Sequence, residues 1–242
     1  MQGLFRFLRR VLRFISLAVF IAVAASVLLV IALRWIDPPT SAFMLQARYD
    51  AWAARDDKGT KPFVLRQDWR DLHDISPQLA IAVVASEDQL FPKHKGFDVV
   101  QIRKAMAEAE QGGRARGAST ISQQTAKNLF LWSGHSWFRK GLEVWFTVLI
   151  ETCWSKRRIL EVYLNVIELG RGIYGAQAAS RQFFSHDART LSAAESAQLA
   201  AVLPNPKRLN AAKPGGYVQG RREEIQVQMR QLGGPGYLRG IL

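Results

Sequence analysis

Residues 76–88, Ser-Pro-Gln-Leu-Ala-Ile-Ala-Val-Val-Ala-Ser-Glu-Asp, carry the reading of the fold. Ser76 is a favoured N-cap residue, and Pro77 takes the first helical position, where its missing N–H costs nothing. The apolar run from Leu79 to Ala85 leads to two adjacent acids, Glu87 and Asp88. This predicts an apolar helix that ends on carboxylates. The same punctuation continues downstream. Asp98 is placed to cap residues 99–110, and Gly112-Gly113 to stop them. Thr120-Ile-Ser-Gln123 has capping-box spacing and opens the helical stretch SQQTAKNLFL. Residues 139–151 read as a further helix, and residues 156–168 place Ile159, Val162, Tyr163, Val166 and Ile167 at helical spacing. Ser192-Ala-Ala-Glu195 is a second capping box, whose helix ends at Pro204. Upstream, residues from about 40 to 75 are mixed, with weak helical character, and Asp37-Pro38-Pro39 reads as a break. No stretch shows sustained period-two alternation and no internal repeat occurs. The fold class is mostly α.

The chain of 242 residues allows one compact domain, or two small ones, and its 48% of apolar residues excludes disorder throughout. Lys+Arg of 33 against Asp+Glu of 20 gives 33 − 20 = +13, which favours an anionic partner. A single cysteine, Cys153, excludes an intrachain disulfide framework and a Cys-based zinc site. The four histidines, His73, His94, His135 and His186, show no paired metal-ligand spacing.

From Phe14 to Leu33 the chain carries no charge. About 20 apolar residues rising 1.5 Å each span a hydrocarbon core of about 30 Å. The run is longer than the usual apolar region of a cleaved signal peptide, so an uncleaved signal anchor is expected. Arg6, Arg9, Arg10 and Arg13 precede it, which places the N-terminus in the cytoplasm and everything after about residue 37 outside. The expected organisation is a cytoplasmic tail (1–13), a transmembrane anchor (14–36), a linker and membrane-proximal segment (37–75) and a helical domain (76–242). Much of the basic excess then lies outside the cell membrane, where nucleic acid is a poor partner and an anionic group at the outer membrane face a good one. A lone anchor with a short basic tail suits a Gram-negative inner membrane, with the domain in the periplasm.

Four clusters can carry chemistry. Glu87-Asp88 with His94 places carboxylates at the helix end that the dipole disfavours, which suggests a use for them; a solvated helix end and a structural histidine are the ordinary alternative. Arg114, Arg116 and Gly117, followed by Ser119, Thr120, Gln123, Gln124, Lys127 and Asn128, concentrate hydrogen-bonding groups at a helix start, where free amides accept an anion; the plain alternative is a capped surface helix. Arg139, Lys140 and Glu143 share a helix face, as a surface ion pair or as a clamp for a pyrophosphate beside a second acid. Tyr163 and Asn165 sit in an apolar helix before a tight turn at Gly170, Gly172 and Gly175, mostly for packing, with a minority of substrate contacts.

In order and content, EDQLFPKHKG (87–96), GASTISQQTAKNLF (117–130), RKGLE (139–143), KRRILEVYLNVIELGRGIYGAQAAS (156–180) and AAESAQLAAVLPNP (193–206) resemble the successive motifs of the peptidoglycan glycosyltransferases. The resemblance runs from about Ile75 to Asn210. In detail the chain resembles the monofunctional biosynthetic members: no SxxK occurs and no KTG follows, so the transpeptidase activity of bifunctional relatives is not expected.

The resemblance implies a lysozyme-like, two-lobed helical domain behind the anchor. It implies lipid II and the growing glycan strand as substrates, polymerised into β-1,4 strands with inversion and release of undecaprenyl pyrophosphate. Glu87 is then the general base. Lys127, Arg139 and Lys140 face the diphosphate, and Glu143 is the second catalytic-motif acid, orienting the cations or the acceptor or steadying an oxocarbenium ion. Asp88 holds loop geometry. Ser119, Thr120, Gln123 and Gln124 contact sugar or phosphate, and His94 and Asn165 complete the expected substrate contacts. No cofactor is required; a divalent cation (Mg or Mn) can assist the pyrophosphate, although no residue cluster is dedicated to one. Cell-division and wall-synthesis proteins are partners by family analogy alone. Trp132, Trp137 and Phe138 can enter the membrane interface, with core packing the even alternative. A glycan-cleaving enzyme, lysozyme-like or a lytic transglycosylase, is the main rival: it needs a catalytic acid but no cation cluster.

Overall fold

The computed structural model describes residues 2–54, 63–110, 119–134 and 136–242. The chain forms two compact units, Met1–Pro38 and Pro39–Leu242. The first is one helix, α1 (Gln2–Ala32). It starts at Gln2 rather than Phe14, so Arg6, Arg9, Arg10 and Arg13 ride on the same helix as the apolar run. Phe14, Phe20 and Leu28 are exposed, and the segment Leu4–Ala32 is long and apolar enough to cross a membrane. It is compatible with a single-pass anchor.

The second unit is mostly helical, as the capping pattern predicts. α2 (Ala42–Ala53) is capped by Ser41, whose Oγ accepts from the Met44 amide. α3 (Pro77–Glu87) is capped by Ser76, whose hydroxyl also donates to the Leu191 carbonyl at 2.7 Å. All of Leu79 to Ala85 is buried: a helix apolar on every face belongs in a core, and each fully buried Leu, Ile or Val there contributes about 1.5–3 kcal/mol. α4 (Val99–Glu110) begins at Asp98, whose side chain accepts from the Gln101 amide at 2.9 Å; its expected stop at Gly112-Gly113 lies outside the described residues, as do Arg114, Arg116 and Gly117. α5 (Ile121–Phe130) opens on the complete Thr120/Gln123 capping box. α6 (Trp137–Cys153) begins two residues before the expected start because Ser136 supplies the cap, accepting from the Arg139 amide. α7 (Lys156–Val166) follows.

A small sheet comes next: β1 (Arg66–Gln67) runs parallel to β3 (Ile173–Tyr174), which pairs antiparallel with β2 (Glu168–Gly170). These strands are too short to leave an alternating signal, which is why none was expected. The glycine turn is nonetheless where the sequence places it. Gly172 and Gly175 have φ of +74° and +80°, and a Cβ on Gly175 would lie 2.7 Å from the Asn165 carbonyl oxygen. Only glycine fits there. α8 (Ala176–Phe184), α9 (Ala193–Val202) and α10 (Gly216–Gln231) complete the unit.

Two helical groups meet at the site. α9 and α10 pack on α3, and Ala197, Ala200 and Ala201 let α9 approach closely. α5 packs on α6 and α7. The C-terminus of α3 therefore delivers Glu87 against α5. Trp132, Trp137 and Phe138 are exposed, Trp137 at 93%, so they are not core residues.

Candidate active site

Glu87 is a half-buried carboxylate with one hydrogen-bond donor among the described residues. Gln124 Nε2 on α5 donates to its Oε2 at 2.8 Å, and the Gln124 amide oxygen accepts from the Tyr163 hydroxyl on α7 at 3.0 Å. Burial pushes the Glu87 carboxyl above its ordinary value; the Gln124 hydrogen bond, then Arg221 and Lys127, oppose this, and the neighbouring Asp88 adds to it. Glu87 lines a cleft of about 500 Å³ together with Asp88, Ser119, Thr120, Arg221 and Gln228.

Asp88 is spent on architecture. Its Oδ2 accepts the Ile121 amide at the start of α5 at 2.9 Å, and both its oxygens lie 2.9 Å from His94 Nε2. The Gly96 amide donates to His94 Nδ1 at 3.1 Å, so the ring proton sits on Nε2 and is donated to Asp88. Gly96 has φ of +88°, and a Cβ there would lie 3.0 Å from both Glu151 and Thr147; its carbonyl accepts from the Thr120 hydroxyl at 2.6 Å. This chain of contacts fixes α5 relative to α3. His94, expected to touch substrate, has both ring nitrogens bonded within the protein. Thr120 and Gln123 are buried, and they cap α5 reciprocally. Asn165 is wholly buried: its Oδ1 accepts the Arg70 amide at 2.9 Å, and its Nδ2 donates to the Arg70 and Glu161 carbonyls, each at 2.8 Å. Its amide is bonded within the protein, and the structure places it away from the surface where a substrate contact was expected.

The cations assemble on the other side of Gln124. Lys127, one turn along α5 from Gln124, lines a second cleft of about 650 Å³ with Phe43, Gln124, Tyr163, Glu168 and Lys207. Burial pulls the Lys127 ammonium below its ordinary value; Glu143 opposes this, Arg139 and Lys140 reinforce it, and Glu87 opposes it. Lys127 thus feels Glu87 and the start of α6 together. There, Arg139 donates to Glu143 Oε2 at 3.1 Å, and Lys140 bonds the other oxygen, Oε1. Arg139 and Glu143 are buried while Lys140 is 43% exposed along its side chain. Among the described residues, Arg139 Nε is buried without a hydrogen-bond partner. Glu143 therefore holds two cations in place. Among the described residues no group of three or more His, Cys, Asp or Glu side chains stands close enough to hold a metal ion.

The family model described as Transglycosylase matches residues 59–230. The chain belongs to the transglycosylase family. A biosynthetic peptidoglycan transglycosylase of Xanthomonas campestris pv. campestris (strain B100) is 58% identical over 230 residues, covering 95% of this chain and 92% of that protein. One from Pseudomonas putida (strain KT2440) is 52% identical over 231 residues, covering 96% of each.

The sequence singles out Tyr163 mostly for packing, and it gives no sign of two further residues, Arg221 and Glu168, that line the two clefts. Tyr163 reads as packing because it lies on the apolar face of α7, and only its hydroxyl sets it apart. Arg221 comes from α10, a helix whose sparse apolar positions (Val218, Ile225, Met229) give a faint signal; its NH2 reaches the Ser86 carbonyl at 3.5 Å. Glu168 lies on the wall of the Lys127 cleft, where burial raises its carboxyl, opposed by the Gly172 amide and by Lys207 and Arg171. No spacing in the sequence ties Glu168 to Lys127.

Proposed function

We propose that the protein is a membrane-anchored peptidoglycan glycosyltransferase that polymerises lipid II. Glu87 takes the proton of the acceptor 4-hydroxyl as that oxygen attacks the anomeric carbon of the lipid-linked donor. The bond from that carbon to the diphosphate oxygen breaks, and undecaprenyl pyrophosphate leaves with the electron pair. A single displacement inverts α to β and needs no enzyme nucleophile.

The observation that carries this reading is the placement of Glu87, bonded to Gln124 on α5, beside the half-buried Lys127 one turn along that helix, which packs on the α6 that carries Arg139 and Lys140. A base must be basic near neutral pH to work on an alcohol, and a diphosphate leaves readily once fixed cations meet its developing charge. A glycan-cleaving enzyme has no use for such a cluster. Glu143 is a positioning residue in this scheme, and Asp88, His94, Thr120 and Gln123 act by fixing α5. Ser119, on the Glu87 cleft, is left to meet substrate. The anchor holds the enzyme at the outer face of the inner membrane, with its N-terminus in the cytoplasm. Enzyme and lipid-tailed substrate then share two dimensions, which raises their effective concentration.

The test is lipid II polymerisation by wild type and Glu87→Gln. The variant is expected to retain lipid II binding while polymerisation falls by about 10²–10⁴-fold. Full activity in Glu87→Gln removes the base assignment. Shortening of finished glycan with no polymer from lipid II overturns the reaction.

A further inference from the structure

Glu87 and Tyr163 both end on the amide of Gln124. Nε2 donates to Glu87 at 2.8 Å and Oε1 accepts from the Tyr163 hydroxyl at 3.0 Å. An ionised carboxylate can only accept, so the amide must present its nitrogen to Glu87; its oxygen then needs a donor on the far side. Tyr163 is that donor. It is completely buried on α7, and among the described residues Gln124 is the hydroxyl's hydrogen-bond partner. A phenylalanine would fill the same space without the desolvation of a buried phenol, so packing alone does not account for the oxygen. Burial, together with the charges of Glu87 and Asp88, holds the phenol proton in place, and the group donates at every physiological pH.

We propose that Tyr163 is a positioning residue for the base: its buried hydroxyl fixes the Gln124 amide in the one orientation that aims an N–H at the Glu87 carboxylate. The inference rests on Glu87 being the base and on no other part of the reaction scheme. Gln124 steers the carboxylate toward the side of α5 that also carries Lys127, and Tyr163 keeps it from turning its oxygen on Glu87.

The charged and titratable groups around Glu87 come from four directions: Asp88 beside it, Lys127 on α5, Arg221 on α10 and Tyr163 on α7. Removing the Tyr163 hydroxyl leaves Asp88, Lys127 and Arg221 in place and loosens only the Gln124 donor. That donor favours the ionised carboxylate, so its loss raises the affinity of Glu87 for a proton, and the acid side of any Glu87-dependent profile moves to higher pH.

The experiment titrates Glu87 directly, in the full-length protein in detergent, by carbon NMR of labelled glutamate carboxyls, with Glu87→Gln identifying the resonance. Tyr163→Phe and Gln124→Ala are each expected to raise the Glu87 midpoint by about half to one pH unit. In the double variant, Tyr163→Phe adds nothing further, because it acts through Gln124. In the polymerisation assay the same variants should lower kcat by about three- to tenfold with little change in KM for lipid II. An unmoved midpoint in Gln124→Ala overturns the inference, as does a full-sized effect of Tyr163→Phe in the Gln124→Ala background. Should Tyr163→Phe fail to fold, an unmoved midpoint in Gln124→Ala, whose side chain is partly exposed, still overturns the inference. The titration needs no turnover. Wild-type protein that titrates as stated but makes no polymer sinks the reaction and leaves the positioning standing.

Discussion

Glu143 holds two cations, and replacing it by glutamine isolates that task. The side chains of Arg139 and Glu143 are 9% and 3% exposed, with 3.1 Å between nitrogen and oxygen. In Glu143→Gln the guanidinium stays buried with its compensating charge gone. Removing one partner of a buried pair costs about 3–5 kcal/mol, and the amide oxygen that remains puts this substitution near the lower figure. Lys140, 43% exposed, adds little, since solvent screens its share. For a unit the size of Pro39–Leu242, each kcal/mol moves Tm by about 2–4 °C, which gives a drop of roughly 6–12 °C. Thermal unfolding of the full-length protein in detergent reads this. Lys140→Ala, at about 1 kcal/mol or less, is the control and should stay within about 4 °C of wild type. Replacing both buried partners, Arg139→Met with Glu143→Leu, should recover much of the lost stability while polymerisation stays absent, so the two roles separate. A second effect has a fixed sign. Glu143 is the foremost charge opposing the downward pull of burial on Lys127. Without it the ammonium loses its proton at lower pH, and the basic limb of the rate profile moves toward neutrality. A Glu143→Gln protein that melts within about 2 °C of wild type, with its basic limb unmoved, refutes the idea that Glu143 is the counter-charge of this cluster.

Asn165→Leu deletes the bonds to the Arg70 amide and to the Arg70 and Glu161 carbonyls. It should cost about 2–4 kcal/mol, seen as a lower denaturation midpoint in urea. Glu87→Gln should be more stable than wild type at neutral pH. The folded-state carboxyl is raised by burial, so ionising it costs folding free energy that glutamine does not incur. The advantage should be absent below about pH 4, grow as pH rises from the ordinary carboxylate value of about 4.3 toward the raised one, and persist above it; equal melting temperatures at pH 4 and pH 7 would count against a desolvated Glu87.

What was legible in the sequence was local. Ser76-Pro77, the Thr120/Gln123 and Ser192/Glu195 boxes and Asp98 each fix a helix start through bonds to an amide two or three residues on, and every one is present. Gly175 could be placed in a turn because it is a glycine; that its missing Cβ clears the Asn165 carbonyl could not, since that contact joins α7 to the residue before α8. The candidate site residues were legible as residue types near motifs, and their division of labour was not. Thr120, Gln123, His94 and Asn165 look like ligand-binding groups along the chain, yet each is bonded to partners inside the protein. Side-chain bonds across the fold, such as that of Tyr163 to Gln124, leave no periodicity, and a tyrosine on an apolar helix face scores as core.

The two acids show most clearly what geometry adds. By residue type alone, Glu87 and Glu143 look alike: each is a motif glutamate near basic residues, and only the family resemblance separates their roles. In the fold, both oxygens of Glu143 face cations, Arg139 on one side and Lys140 on the other, whereas Glu87 faces a neutral amide and is set by burial. A carboxylate wrapped in cations is committed to holding them. One met by a single amide N–H keeps an oxygen for an incoming hydroxyl and gains proton affinity from its surroundings. Lys127 lies between these environments, pulled down by burial and by Arg139 and Lys140, and supported by Glu143 and Glu87. In the proposed reaction, Lys127 would lose one of its two supports when Glu87 takes a proton, as a departing diphosphate supplies negative charge in its place. Proton transfer and leaving-group departure would then be coupled through one ammonium group. Moving the positive charge at position 127 out of reach of either carboxylate should cost more in kcat than in substrate binding.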